Sequence, residues 1–238
     1  MKSIRSLKLI PHVLLGLATL AFGAMSASAQ QTIVQYGSAN TTSLAPAVVD
    51  GAVSANNLNA GPGLGLNTGS TFNFNGWDTA STTFDAAAAA GDFWTFGFSI
   101  TDPNALVDLT TMDIRLDRSG TGPDDFEIRA AVNGGVSTSL LIGDFAGGSL
   151  GVNYLGVDLS SLSGLTVGDS VLFTLAAWNA TSAAGTFDLE TITFPGGTDG
   201  LTIRGNVSVV PEPSTALLFA LGLGGLASIR RRDAHAHG

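Results

Sequence analysis

The chain of 238 residues contains no cysteine. This absence excludes disulfides, iron–sulfur clusters, thiolate zinc sites and a cysteine nucleophile. Lysine and histidine are missing from residues 30–209. A Ser-His-Asp triad, a histidine metal site and a lysine Schiff base therefore each lack a required group in that stretch. Charged residues make up only 12% of the chain, against about 25% in an ordinary soluble protein.

Positive charge is concentrated at the two ends. Residues 30–210 carry 17 acidic side chains and four basic ones, a formal net charge of −13, and the four are Arg115, Arg118, Arg129 and Arg204. Such a surface repels a phosphate backbone, so the sequence argues against nucleic acid as a partner. It suits an exported protein that stays soluble through its negative charge.

The N-terminus has the three parts of a secretory signal peptide. Basic residues in positions 1–8 precede an apolar stretch at 9–25, and Ala27 and Ala29 supply the small side chains that signal peptidase requires. We expect a signal peptide over 1–29, cleavage after Ala29, and a mature chain that begins at Gln30. The alternative is an N-terminal anchor that is retained.

The C-terminus has a second apolar run, residues 214–229, which is followed by Arg230, Arg231 and Arg232. As a helix, 16 residues would span about 24 Å, which is short for a bilayer core of about 30 Å. The arginines predict a cytoplasmic end for this helix, with the preceding domain on the exported side of the inner membrane. Immediately before the run, Pro211 and Pro213 flank Glu212 and hold the backbone extended.

This C-terminus resembles the PEP-CTERM sorting signal. The resemblance rests on three elements in order: the Pro-Glu-Pro triplet within 210–213, the apolar helix at 214–229 and the basic tail at 230–232. Residues 233–238 extend the tail without removing an element. The resemblance implies processing by exosortase, a membrane cysteine protease or transpeptidase, in bacteria that make exopolysaccharide and biofilm. The alternative is a plain tail anchor that follows a loop.

Residues 30–209 are predicted to form one all-β domain. Apolar and polar residues alternate with period 2 at 93–100, 111–116, 126–132 and 201–209. Turn signals separate these stretches, and Asn133-Gly134-Gly135 is a strong hairpin signal because a type I′ turn requires positive φ. Strands of this spacing favour a β-sandwich, jelly-roll-like, of about ten to twelve strands. The run 86–90 predicts at most one helical turn.

The segments 125–135 and 187–192 also resemble the β-sandwich ectodomains that are common among PEP-CTERM proteins. That resemblance implies no activity.

Carboxylates are the only candidates for catalysis or for metal binding. Glu127 and Glu190 are possible partners in a glycosidase pair, although Glu127 with Arg129 is better explained as a solvated strand surface. The segment 117–125 has the oxygen spacing of an EF-hand loop but lacks the glutamate at position 12 and the flanking helices. Asp117 and Asp125 are therefore only weak calcium candidates, and we expect no cofactor and no metal.

Three aromatic residues are candidates for a sugar-binding surface. Trp77, Trp178 and Tyr154 each stand beside Asp or Asn, and the face of such a ring can pack against the C–H groups of a sugar. In a sandwich most aromatic side chains belong to the core, so a structural role is the main alternative for each.

The sequence therefore favours an exported, non-enzymatic protein of the cell surface or extracellular matrix, sorted by exosortase and associated with exopolysaccharide and biofilm. A carbohydrate-binding module is the second hypothesis, and a secreted polysaccharide hydrolase is the third. The expected partners are signal peptidase, exosortase, transiently the inner membrane, and exopolysaccharide.

Overall fold

The computed structural model describes residues 30–145, 151–191 and 200–209. The predicted signal peptide, sorting triplet, apolar helix and basic tail lie outside these ranges. Within them the chain forms fifteen β-strands and one α-helix, whose bounds in chain order are β1 Gln31–Tyr36, β2 Ser43–Leu44, β3 Val48–Val49, β4 Val53–Ala55, β5 Leu58–Ala60, β6 Gly65–Leu66, β7 Phe72–Asn75, α1 Phe84–Ala90, β8 Phe93–Ile100, β9 Ala105–Arg118, β10 Asp125–Val132, β11 Thr138–Asp144, β12 Val152–Asp158, β13 Ser170–Trp178, β14 Phe187–Leu189 and β15 Leu201–Val209.

The strands form two antiparallel sheets. Sheet A has the order β3-β1-β15-β9-β14-β7-β6, and β12 also pairs with β9. Sheet B has the order β11-β10-β13-β8-β5-β2, and β4 also pairs with β8. The strand count exceeds the expected ten to twelve because six of the fifteen strands in the described ranges have only two or three residues.

The core lies between the two sheets. Trp94, Phe96, Phe98 and Ile100 on β8 are all buried, as the period-2 pattern predicted. Side chains from both sheets belong to one continuous hydrophobic cluster. The all-β prediction, with two antiparallel sheets, is thereby confirmed, while the jelly-roll-like strand order remains a prediction.

Helix α1 is longer than the sequence predicted. It has seven residues rather than a single turn, begins after Thr83 and ends at Gly91. The Thr83 hydroxyl accepts a hydrogen bond from the Ala86 N–H, and Gly91 adopts φ 89° as the C-cap, so both ends are satisfied locally. Phe84 and Ala87 are buried against sheet B, and this packing supplies the stability that an isolated short helix lacks.

The β10–β11 hairpin turns where the sequence predicted it. Asn133 and Gly134 have φ of 53° and 67°, the two positive angles that a type I′ turn requires. The pairing of Ala130 with Thr138 closes the ladder beside the turn.

Candidate functional site

Trp77 does not form an exposed binding surface. The residue is 0% exposed, and its ring contacts the rings of Trp94 and Phe187 at centroid distances of 6.2 and 5.3 Å. Its Nε1 donates a hydrogen bond to the carbonyl oxygen of Phe74 at 2.9 Å. Trp77 is therefore a core residue with a satisfied donor, and the expectation of a ligand-binding role is corrected here.

Trp178 and Tyr154 are half-buried and lie on different sheets. Trp178, on β13, packs against a small buried cluster of Phe84, Ala87 and Ala176 beneath α1. Tyr154, on β12, meets the ring of Phe126 edge-on at 5.1 Å, and its hydroxyl donates to the carbonyl oxygen of Asp144 at 3.4 Å. Burial raises the pKa of Tyr154. The structure thus does not bring the three aromatic candidates together.

The outer face of sheet A carries three neighbouring carboxyl groups, from Asp117, Asp188 and Glu190, which we call the carboxylate cluster. Asp188 on β14 pairs laterally with Asp117 on β9, and Glu190 follows β14 directly. Phe187 and Leu189 are fully buried, so alternation along the strand places the Asp188 side chain on the opposite, outer face.

Arg115 and Thr71 hold the carboxylate cluster in place. The Arg115 Nε donates to Glu190 Oε2 at 2.8 Å, and the Thr71 hydroxyl donates to Asp188 Oδ2 at 3.0 Å. Burial, with the nearby charges of Asp117 and Glu190 adding to it, raises the pKa of Asp188 to about 7. Burial also raises the pKa of Asp117, against the opposing hydrogen bond from the Arg118 N–H. The cluster therefore takes up a proton near neutral pH.

The carboxyl groups named from the sequence do not form a catalytic pair with one another. Glu127 lies on β10 in sheet B, whereas Glu190 lies beside sheet A. Within the carboxylate cluster, the charge of Glu190 adds to burial in raising the pKa of Asp117.

The two calcium candidates are separated as well. Asp117 is in sheet A, while Asp125 begins β10 in sheet B and accepts a hydrogen bond from the Asn179 amide. In the ranges described, no three His, Cys, Asp or Glu side chains are arranged to hold a metal ion. The weak calcium candidate at Asp117 and Asp125 therefore stays a prediction, and a shared ion would need both carboxylates within ligand distance.

Glu127 is buried rather than solvated, which corrects the expectation of an open strand surface. Arg129 donates to its two carboxylate oxygens at 2.8 and 2.9 Å. The Arg129 guanidinium lies 3.8 Å from the centroid of the Phe84 ring and also bonds Asp85 at 3.0 Å. Burial acts to raise the pKa of Glu127, but the hydrogen bonds from Arg129 and Ser139 and the charge of Arg129 outweigh it, so the pKa is lowered. Through its bonds to Glu127 and Asp85, Arg129 joins α1 to sheet B.

A depression of about 390 Å³ opens on the outer face of sheet B, and we call it the amide depression. Its lining consists of Asn56, Asn57, Asn59, Thr95, Phe96 and Leu172. Asn59 pairs laterally with Ser43 on one side and with Thr95 on the other. None of these side chains carries a charge, and Leu172 is 44% exposed beside them. The depression therefore combines amide and hydroxyl groups with one apolar surface.

The two ends of the domain lie on the neighbouring strands β1 and β15. Gln31 on β1 pairs with Gly205 on β15, and the pairing of β15 with β9 runs on as far as Val209 opposite Ala105. Val209 is 74% exposed. The four steps from Gly205 to Val209 span about 13 Å in an extended strand. The chain thus enters and leaves the domain on neighbouring strands, at the same end of sheet A.

Residues 209–232 match the PEP-CTERM protein-sorting motif. The resemblance predicted from Pro211, Glu212, Pro213 and the arginines at 230–232 is thereby confirmed, and the chain carries a signal of the kind that exosortase processes. The motif implies export and sorting to the cell surface. No curated protein matches the chain.

The PEP-CTERM motif begins where the described fold ends. Val209 is both the last residue of β15 and the first residue of the match, so the triplet at 211–213 follows the paired backbone after a single residue. Across the described ranges no helix is long and apolar enough to cross a membrane, and the apolar run at 214–229 lies outside them.

Sequence reasoning missed the carboxylate cluster and the amide depression. Asp117 and Asp188 are 71 positions apart, and only the pairing of β9 with β14 makes them neighbours. The depression depends in the same way on lateral pairs such as Asn59 with Thr95. One local signal existed: Asn56, Asn57 and Asn59 stand within four positions of the sequence.

Proposed function

We propose that this chain is an exported, non-enzymatic protein of the cell surface or extracellular matrix that exosortase sorts through its C-terminal motif and that associates with exopolysaccharide in biofilm. The observation that carries the proposal is the PEP-CTERM match at 209–232, directly after the last strand. Signal peptidase would remove residues 1–29, the domain at 30–209 would fold outside the inner membrane, and the arginines at 230–232 would remain on the cytoplasmic side.

The positions of the two domain ends support this topology. Before processing, the chain would hold two apolar segments, 9–25 and 214–229, on either side of one folded domain. Because Gln31 and Gly205 are paired, both segments would leave the domain at one end and could enter one membrane without crossing over its surface.

A carbohydrate-binding module is the second candidate, and the amide depression is the observation that favours it. Uncharged amides beside an exposed leucine suit a ligand that is polar at its rim and apolar on its faces. The hydrolase hypothesis has less support, because Glu127 and Glu190 lie on different sheets.

The sorting proposal is tested by altering the motif and following the C-terminus. Glu212→Ala, expressed in a host with its own exosortase, should accumulate as a full-length form in the inner membrane. Asp233→Ala removes a carboxylate outside the match and should be processed like the parent. Replacing the three arginines with alanine should instead disturb orientation or retention. Mass spectrometry of the C-terminal fragments checks each outcome, and trimming of Glu212→Ala at the parental rate would refute the proposal.

The N-terminal part of the topology has its own test. N-terminal sequencing of the exported protein should give Gln30 as the first residue. An intact Met1 in the exported fraction would contradict the signal-peptide assignment and favour a retained anchor.

A further inference from the structure

We propose that the amide depression on sheet B binds a neutral polysaccharide that lies across the strands. This inference rests on the proposed association with exopolysaccharide and gives that association a site and a ligand class. It does not depend on how exosortase treats the tail, so the two proposals can fail separately.

The depression presents polar groups whose hydrogen-bonding capacity is unused. Within the described part of the chain, the Asn56 side chain, Asn59 Oδ1 and the Thr95 hydroxyl make no hydrogen bond. The Asn57 and Asn59 amide nitrogens are only partly used, donating to Ser43 Oγ at 2.9 Å and to the Asn57 carbonyl oxygen at 3.0 Å. An asparagine offers two donors and one acceptor, and a hydroxyl can do both. Sugar hydroxyls, which also donate and accept, are matched partners for this set.

The charge pattern selects a neutral ligand over an anionic one. No charged side chain lines the depression. The nearest cation in the same row of sheet B is Arg129, whose laterally paired neighbour is Thr174, and it is already engaged by Glu127 and Asp85. The surrounding domain is strongly acidic, so phosphate or uronate groups would be repelled rather than held. An uncharged chain of sugars is not repelled by the acidic domain and does not need a cationic partner.

The geometry of the sheet favours an elongated ligand. Four polar residues, one on each successive strand, face outward in a lateral row: Ser43, Asn59, Thr95 and Thr174. Neighbouring strands lie about 4.8 Å apart, a spacing close to the length of one pyranose unit in an extended glycan. A chain laid perpendicular to the strands would therefore meet a polar side chain at each step. The exposed Leu172 beside the row offers an apolar surface for sugar C–H groups.

The test compares neutral and anionic glycans on the full chain purified in mild detergent. Native gels are cast with soluble mixed-linkage β-glucan, dextran or xyloglucan, and separately with alginate as the polyuronate. We expect at least one neutral glycan to retard the parent protein and alginate to leave it unretarded. Retardation by alginate alone, or by no glycan at all, would overturn the proposal.

Variants locate the site. The double variant Asn56→Ala/Leu172→Thr should weaken binding at least tenfold. Ile142→Thr, which removes a 70% exposed apolar side chain from another strand of the same sheet, is the matched control and should bind within twofold of the parent. If the double variant is too unstable to test, Asn56→Ala alone should also weaken glycan binding. Parental affinity in both depression variants would place the glycan elsewhere and overturn the proposal.

Two further outcomes separate this proposal from others. If no glycan retards the parent, and sedimentation shows a dimer that the double variant abolishes, sheet B binds a second copy rather than a glycan. Normal C-terminal trimming combined with no glycan binding would overturn the proposed polysaccharide site and leave the sorting proposal intact.

Discussion

Asp188 and Asp117 face each other across β14 and β9, and Asp188 is only 8% exposed. Two carboxyl groups at such a position cannot both ionise without cost, and burial removes much of the water that would otherwise screen them. Thr71 and Arg115 offset part of this cost. The pair therefore makes the stability of the domain depend on pH near neutrality.

The first prediction is that stability decreases as pH rises from about 4 to about 7. The pKa of Asp188 is about 7 in the fold, against an ordinary value of 3.8. The folded state therefore binds this proton more tightly than the unfolded state, and the stabilisation of up to about 4 kcal/mol is present at low pH and is lost toward pH 7. Asp188→Asn should flatten this dependence and melt at a higher temperature than the parent at pH 8. Asp108→Asn, away from the cluster, should keep the parental slope; a parental slope in Asp188→Asn would show that another group titrates.

The second prediction concerns the ion pair under α1. Arg129→Ala leaves the buried carboxylate of Glu127 without its partner, and breaking such a pair costs roughly 3 kcal/mol. Arg204→Ala removes a more exposed pair with Asp113 at 3.3 Å and should cost less than about 1 kcal/mol. Urea denaturation measures both. Equal losses in the two variants would mean that burial of Glu127 contributes nothing to the effect.

The third prediction separates backbone conformation from packing in the β10–β11 turn. Gly134 and Gly120 both have open space where a Cβ would lie, but only Gly134 has positive φ, at 67°. Gly134→Ala should therefore destabilise the domain by about 1 kcal/mol, while Gly120→Ala should be neutral or slightly stabilising. Thermal melts of the two variants provide the comparison, and a neutral Gly134→Ala would argue against a type I′ turn.

The fourth prediction concerns the spacing between the fold and the sorting motif. Glu212 stands three residues after Val209, the last paired residue of β15, so a protease that recognises Glu212 would bind at most about 10 Å from the end of β15. Eight Gly/Ser residues inserted after Val209 should accelerate C-terminal trimming. The same insertion at the exposed Val136 should not change the rate, and slower trimming of the first variant would show that the enzyme requires the short spacing.

Local features of this protein were predictable from its sequence, and lateral ones were not. The Asn133-Gly134 turn and the buried face of β8 follow from residues adjacent in the chain. The helix α1, capped by Thr83 and Gly91, is longer than predicted because the packing that stabilises it cannot be read from the sequence. Trp77 was misassigned because an aromatic residue beside an aspartate has the same sequence pattern in a core as on a binding surface.

The way the tail joins β15 determines how the domain would carry mechanical load. β15 lies inside sheet A, paired with β1 on one edge and β9 on the other, and the tail continues from its end. The ladder hydrogen bonds stand perpendicular to the strand, so a pull on the tail along the strand axis strains many of them together instead of opening them one at a time. In a cell-surface protein tethered in this way, pulling β15 out of the sheet would require shearing the ladders to β1 and β9 at once. The force needed would depend more on the length of β15 than on the strength of any single contact.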